Sequence, residues 1–328
     1  MTLWKVKTAA ALFVVLLVIA IPQSALPIAI TGSANATALA SAILDNTTVT
    51  LVPGSATIYG LGGASQSATF TGGGTDIGFD TGIILSNGNA INIQNTYAPK
   101  SPEATGASNG DDVWSTGWDF APTTVNVSDL AALAGVTEIF DPNILQFSFN
   151  LGPGAWNLSF KYVFASDEYI DYIGSGFNDV FGLFIDGTNV GTLSNGTIVS
   201  INNINPISNP SSYRNNVDGY SSLARQLDPN VTSPDYPSSN LNIAPDGLTT
   251  VLVTQTIALN GGTVLSPTSH TARLAIGDVG NANVDSAVFI QGSSFSATPG
   301  TPAVPEPGTM LFVGAGLVII GSLRSRLR

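Results

Sequence analysis

Leu145-Gln146-Phe147-Ser148-Phe149 alternates apolar and polar side chains with a period of two. That is the pattern of a strand with one face in a core and the other toward water. The same period runs from Leu158 to Phe164 and places Leu158, Phe160, Tyr162 and Phe164 on one face. Residues 82–86, 180–186, 197–201, 249–259, 271–276 and 286–295 read as further strands. Gly, Asn, Pro, Ser and Asp separate them, as turns require. Helical patterns are sparse: 37–44 and 128–134 each predict one short helix, the second capped by Ser128. Many strands and few helices specify an all-β fold, an antiparallel β-sandwich with jelly-roll-like connectivity. A barrel or a solenoid is the alternative, and the lack of a fixed-period repeat disfavours the solenoid. The polar, proline-bearing stretch 202–248 predicts extended loops on one rim, where binding residues usually sit.

Both ends of the chain break the β pattern. Lys5 and Lys7 precede an unbroken apolar run over 9–21, and Ala34-Asn35-Ala36 follows as a small-x-small triplet. This order predicts a secretory signal over 1–36, cut by signal peptidase at Ala34 and Ala36, with Ala40 as another small residue that suits cleavage. At the far end, 297–303 is a linker of small residues and proline, followed by Val304-Pro305-Glu306-Pro307. Residues 308–323 are apolar, and Arg324, Arg326 and Arg328 close the chain. Sixteen helical residues reach about 24 Å, short of a hydrocarbon core of about 30 Å. The expectation is a weak transmembrane helix over 308–323, with its arginines held on the cytoplasmic side. The motif, span and basic cluster over 304–328 together resemble the PEP-CTERM sorting signal. That resemblance implies recognition by an exosortase, a membrane enzyme that removes the tail, in bacteria that also make exopolysaccharide.

Charge narrows the partners. Between residues 41 and 303 there are 21 Asp or Glu against five Lys or Arg, a net charge of −16, whereas the whole chain carries −12. Such a body repels nucleic acid and anionic lipid, and it offers oxygen ligands to divalent cations. The chain has no cysteine and a single histidine, His270. Disulfides, thiolate metal sites and the His-Glu-x-x-His zinc site are therefore excluded. His270 opens a strand and reads as a rim residue.

The densest candidate chemistry is a set of oxygen ligands at strand ends: Asp167, Glu168, Asn178, Asp179 and, far along the chain, Asp285. These are the side-chain types that hold calcium, the candidate cofactor. The competing reading has Asn178 and Asp179 capping a turn. A glycan hydrolase would need Asp167 or Glu168 to face Asp179 or Asp285 across about 5–9.5 Å. Neighbours on a strand point to opposite faces, so Asp167 and Glu168 do not make that pair themselves. No catalytic residue is assigned, and the chain is read as a non-enzymatic surface or matrix protein. Trp114, Trp118, Trp156, Tyr169, Tyr172, Tyr213 and Tyr220 are candidates for stacking on sugars, although most are expected to pack in the core or rim. A carbohydrate-binding or adhesin module, with extracellular polysaccharide as partner, is therefore the rival reading, and a secreted glycan hydrolase is third.

Several segments, in order, resemble the choice-of-anchor L domain. They are 39–44, Thr81-Gly82-Ile83-Ile84-Leu85-Ser86-Asn87-Gly88, Phe164-Ala165-Ser166-Asp167-Glu168-Tyr169, Phe177-Asn178-Asp179-Val180-Phe181-Gly182, Asp246 to Leu252, and Asp285-Ser286-Ala287-Val288-Phe289. The resemblance covers nearly all of a body domain over 37–296. It implies a surface or extracellular location and no known reaction.

Overall fold

The computed structural model describes residues 28–60, 63–94, 125–170, 172–216, 241, 243–280 and 284–299. The apolar segments 9–21 and 308–323 and the sorting motif lie outside the described residues. Among those described, no helix is long and apolar enough to cross a membrane.

In chain order the strands are β1 (Ala29–Gly32), β2 (Val49–Leu51), β3 (Thr57–Tyr59), β4 (Ser67–Thr71), β5 (Thr81–Ser86), β6 (Phe140–Leu151), β7 (Ala155–Ser159), β8 (Lys161–Ser166) and β9 (Val180–Ile185). They continue with β10 (Thr188–Asn189), β11 (Tyr213–Asn215), β12 (Gly247–Thr249), β13 (Leu252–Val253), β14 (Ile257–Asn260), β15 (Ser269–Asp278), β16 (Ser286–Gln291) and β17 (Ser296–Pro299). One sheet runs β1-β4-β5-β16-β8-β12-β11, with β13 also on β8; a second runs β10-β9-β15-β6-β2, with β3 also on β6. A small third sheet, β14-β7-β17, completes the set. Every strand pairing is antiparallel.

The two large sheets share one core. The first contributes Ile83, Leu85, Tyr162, Phe164, Val288 and Ile290; the second contributes Leu145, Phe147, Phe149, Leu183, Leu274 and Ile276. The far face of the first sheet is covered too: Ile84, Val163, Ala165 and Phe289 pack with Ile28, Phe70, Phe79 and Ile93. On the far face of the second, Ile144, Val180 and Ala275 lie beneath Leu130 and Ala131. Cover on both faces explains why β5 and β16 read as nearly continuous apolar runs rather than alternating ones.

Leu158, Phe160, Tyr162 and Phe164 all enter the shared core, as their period implies. The run is nevertheless two strands, because the chain passes at Phe160 from the small sheet to the first large one. The predicted strand 249–259 is likewise split among β12, β13 and β14, and 197–201 makes isolated bridges only.

Helix α1 (Ala36–Ile43) starts at Asn35, whose side chain accepts the Ala38 N–H at 3.0 Å. Helix α2 (Ser128–Ala134) departs from the predicted cap. Val127 occupies the cap position and makes no side-chain bond, while the Ser128 N–H donates to Asn126 Oδ1. An Asx turn just ahead of the helix thus holds Ser128 inside the first turn.

Phe295 joins the layers. Its ring lies 4.4 Å from that of Phe160, 5.0 Å from Phe149 and 5.7 Å from Phe147, and it is fully buried. Phe295→Ala should cost about 3–5 kcal/mol of unfolding free energy, measured by denaturant titration; a loss under 1 kcal/mol would show that the small sheet does not hold the core closed.

Candidate functional site

β5, β8 and β15 finish, and β9 and β16 begin, at one end of the domain. The register fixes this: Ser286 lies opposite Ser166, Ala287 opposite Ser86, and Gly277 opposite Val180. Four carboxylic side chains converge there, Glu168 and Asp285 from the first sheet and Asp179 and Asp278 from the second, and each is buried.

Asn87 binds them across the gap between the sheets. Its Nδ2 donates to Asp179 Oδ2 at 3.0 Å and to Asp278 Oδ1, while its Oδ1 accepts the Ser286 N–H at 2.5 Å. Asp179 accepts two further bonds, from Ser286 Oγ at 2.7 Å and from the Val279 N–H at 3.1 Å. The Asp179 N–H in turn donates to Glu168 Oε2 at 3.3 Å. Gly88 leaves room for the cluster, since a Cβ there would lie 1.9 Å from Asp285 Oδ2. Buried polar groups continue sideways, with Gln66 Nε2 donating to the Asn87 carbonyl and Asn143 Nδ2 to that of Gln66.

Burial sets the electrostatics. It raises Glu168 well above the usual carboxylate range, and the Asp179 charge adds to the rise. Burial raises Asp179 as well, against the donors that surround it. Asp278 is pushed well above its ordinary value by burial first and then by Asp179, Asp285 and Glu168. Asp179 and Asp278 share the Asn87 Nδ2 donor. Carboxyls packed this closely away from water favour the neutral form.

Three of the five residues expected at a calcium site, Glu168, Asp179 and Asp285, meet here. Asp167 is partly exposed and accepts the Asp246 N–H, and Asn178 accepts the Asn202 N–H to pin the following loop. Asp278, Asn87 and Ser286 complete the cluster and were not foreseen as ligands. Their signal was position: Asn87 and Ser286 lie in family segments already named, and Asp278 closes β15 two residues beyond the predicted strand 271–276. Among the described residues, no group of three or more His, Cys, Asp or Glu side chains is arranged to hold a metal ion.

The aromatic candidates are packed where they are described. Tyr169 is buried and donates to the Ile204 carbonyl, Tyr213 packs on Tyr169, Tyr172 on Phe177, and the Trp156 indole N–H donates to the Gly152 carbonyl. Trp114, Trp118 and Tyr220 lie outside the described residues. His270 pairs its Nδ1 with Asp186 Oδ2 at 2.7 Å, at the opposite end of β15 from Asp278.

The family model of the choice-of-anchor L domain matches residues 30–296. The chain belongs to the choice-of-anchor L family. Its match begins inside β1 and ends at the first residue of β17, so the whole two-sheet body is one choice-of-anchor L domain. A model of the PEP-CTERM protein-sorting motif matches residues 303–327. No curated protein and no solved structure matches the chain.

The buried cluster predicts an unusual pH dependence. Folding holds protons on Glu168 and Asp278 that the unfolded chain releases in the ordinary range of 3.8–4.5. Stability is fully present below that range and is lost as pH rises from it toward the raised folded values. Melting temperature should therefore fall as pH increases above about 4.5. Asp278→Asn, which keeps the shape without the charge, should flatten that fall. Stability that climbs with pH in both proteins would contradict the raised carboxyls of the cluster.

Proposed function

We propose that this protein is an exosortase substrate exported to the cell surface or extracellular matrix, where its choice-of-anchor L domain is displayed as a non-catalytic, jelly-roll-like scaffold. The carrying observation is the tail. The sorting-motif match begins at residue 303, and β17 ends at Pro299, so only three residues separate the folded body from the signal. Three residues extend to about 10 Å, enough to present Pro305-Glu306-Pro307 beside the membrane without releasing the domain from it.

Burial supports a non-catalytic role. Glu168, Asp179, Asp278 and Asp285 are between 0 and 2 % exposed, so a glycan cannot reach a carboxylate pair among them. An adhesin reading would need an exposed aromatic platform, and the described Tyr and Trp candidates are engaged in packing.

The start of the fold bears on export. Ile28 is fully buried, β1 pairs along β4 from Ala29 to Gly32, and Asn35 caps α1. A cut at Ala36 would remove all three. In this reading signal peptidase acts upstream of Ile28.

Mass spectrometry of the exported protein tests the proposal. The mature chain should start before Ile28, lack the run 9–21, and lack Arg324, Arg326 and Arg328. An exported pool that keeps Arg328 would make the tail a permanent anchor and overturn the sorting role.

A further inference from the structure

Two of the most exposed apolar residues stand side by side. Val264 is 82 % exposed and Leu265 98 %. They form the apex of a tight hairpin between β14 and β15. The Thr263 N–H donates to the Ser266 carbonyl at 2.9 Å, the Ser266 N–H donates back at 3.2 Å, and Gly262 bridges Pro267. The turn is thus held rigidly with its apolar side chains outward, although solvent-facing turns ordinarily carry polar residues.

Register shows where the apex points. Asn260, at the foot of the hairpin, lies opposite Ala155 on one side of β7, and Pro299 lies opposite Trp156 on the other. The hairpin therefore projects from the same end of the small sheet at which the chain leaves for the sorting tail. Trp156, partly exposed, sits between them. From Pro299, eight residues lead to Gly308, where the apolar stretch 308–323 starts. At about 3.3–3.6 Å each they span at most about 30 Å. Four residues of hairpin arm reach about 13 Å of that gap.

Charge agrees with this placement. Residues 150–157, 258–269 and 295–299 at this end contain no Asp, Glu, Lys or Arg, within a body of net charge −16. The buried carboxylates lie at the opposite end of β15, roughly 30 Å away at the rise of a strand. Asp186 also stands at this end, paired with His270, which touches the Asn260 carbonyl at the hairpin foot, so this end repels an anionic bilayer less than the rest of the acidic body.

We propose that the Val264-Leu265 apex is a membrane-contact tip, which dips into the interface of the bilayer that holds the chain's own 308–323 segment. Two side chains are too few to recruit a free protein. On a short tether the contact is intramolecular, and a weak affinity is enough to fix orientation. The domain would stand on its charge-poor end, with the sorting motif close to the surface and the carboxylate rim pointing outward. The contact rests on the proposed sorting role and on the membrane span that the sequence predicts over 308–323.

The absence of cysteine makes the test direct. The full chain carrying Leu265→Cys, labelled with an environment-sensitive dye, is reconstituted into phosphatidylethanolamine–phosphatidylglycerol vesicles. A second sample carries the label at Ile207→Cys, an exposed position in the loops beside the distal rim. Co-flotation with the vesicles reports tail insertion separately from the dye. In floated protein, the label at 265 should shift to the blue and be quenched by interfacial lipid quenchers, while that at 207 stays accessible to aqueous quencher. Val264→Asp in the 265-labelled chain should abolish the shift without lowering the melting temperature. Equal aqueous quenching at 265 and 207 in floated protein would overturn the tip, and absence of flotation would overturn the tail insertion beneath it.

Discussion

Hydrogen bonds among Asn87, Asp179, Asp278, Glu168 and Ser286 join the two large sheets, and Asn143 extends the link to Gln66 and Ser67. The rest of the contact between the sheets is largely apolar packing, which is indifferent to register. The clasp is directional. Asn87 follows β5, Asp179 precedes β9, Asp278 ends β15 and Ser286 begins β16, so one network aligns four strand ends from both layers. A buried ionised carboxylate without a counter-charge is too costly to persist, and the group takes up a proton instead. Among the described residues the ion pairs, His270–Asp186 and Arg273–Asp129, lie elsewhere. Burial therefore weighs against the ionised forms of Glu168, Asp179 and Asp278.

From that clasp the rest of the molecule is oriented. β6 and β15 run the length of the second sheet, from Phe140 and Asp278 at the rim to Leu151 and Ser269 at the other end. There the small sheet takes over and Phe295 closes the core, and there the chain departs toward its sorting motif. One end is buried and acidic; the other is poor in charge and tipped with Val264 and Leu265. The proposed display would use this division, because an end set against a bilayer should repel it little.

Strand positions were legible because the alternation at 145–149 and 158–164 is strong, and the family segments stood in order. Strand limits were less so. β5 and β16 are covered on both faces, which erases the period of two, and the break at Phe160 changes sheet without changing the apolar pattern. At the site, carboxylates close together in sequence signalled a cluster. Glu168 and Asp179 were found that way. Asp278 was not, because its partners are about 100 and 190 residues distant in Asp179 and Asn87, and only sheet pairing brings them together. Asp167 shows the converse error: adjacent to Glu168 in sequence, it points to a different neighbour, the Asp246 backbone.

The central claim is that burial holds carboxyls of the clasp in the neutral form. Infrared difference spectroscopy between the exported protein and its Asp278→Asn variant at neutral pH, without added divalent ions, reads that directly. The account predicts a protonated carboxyl stretch in the native protein that disappears on substitution. A folded protein whose carboxyl groups are all ionised, and which needs calcium to remain folded, would contradict it.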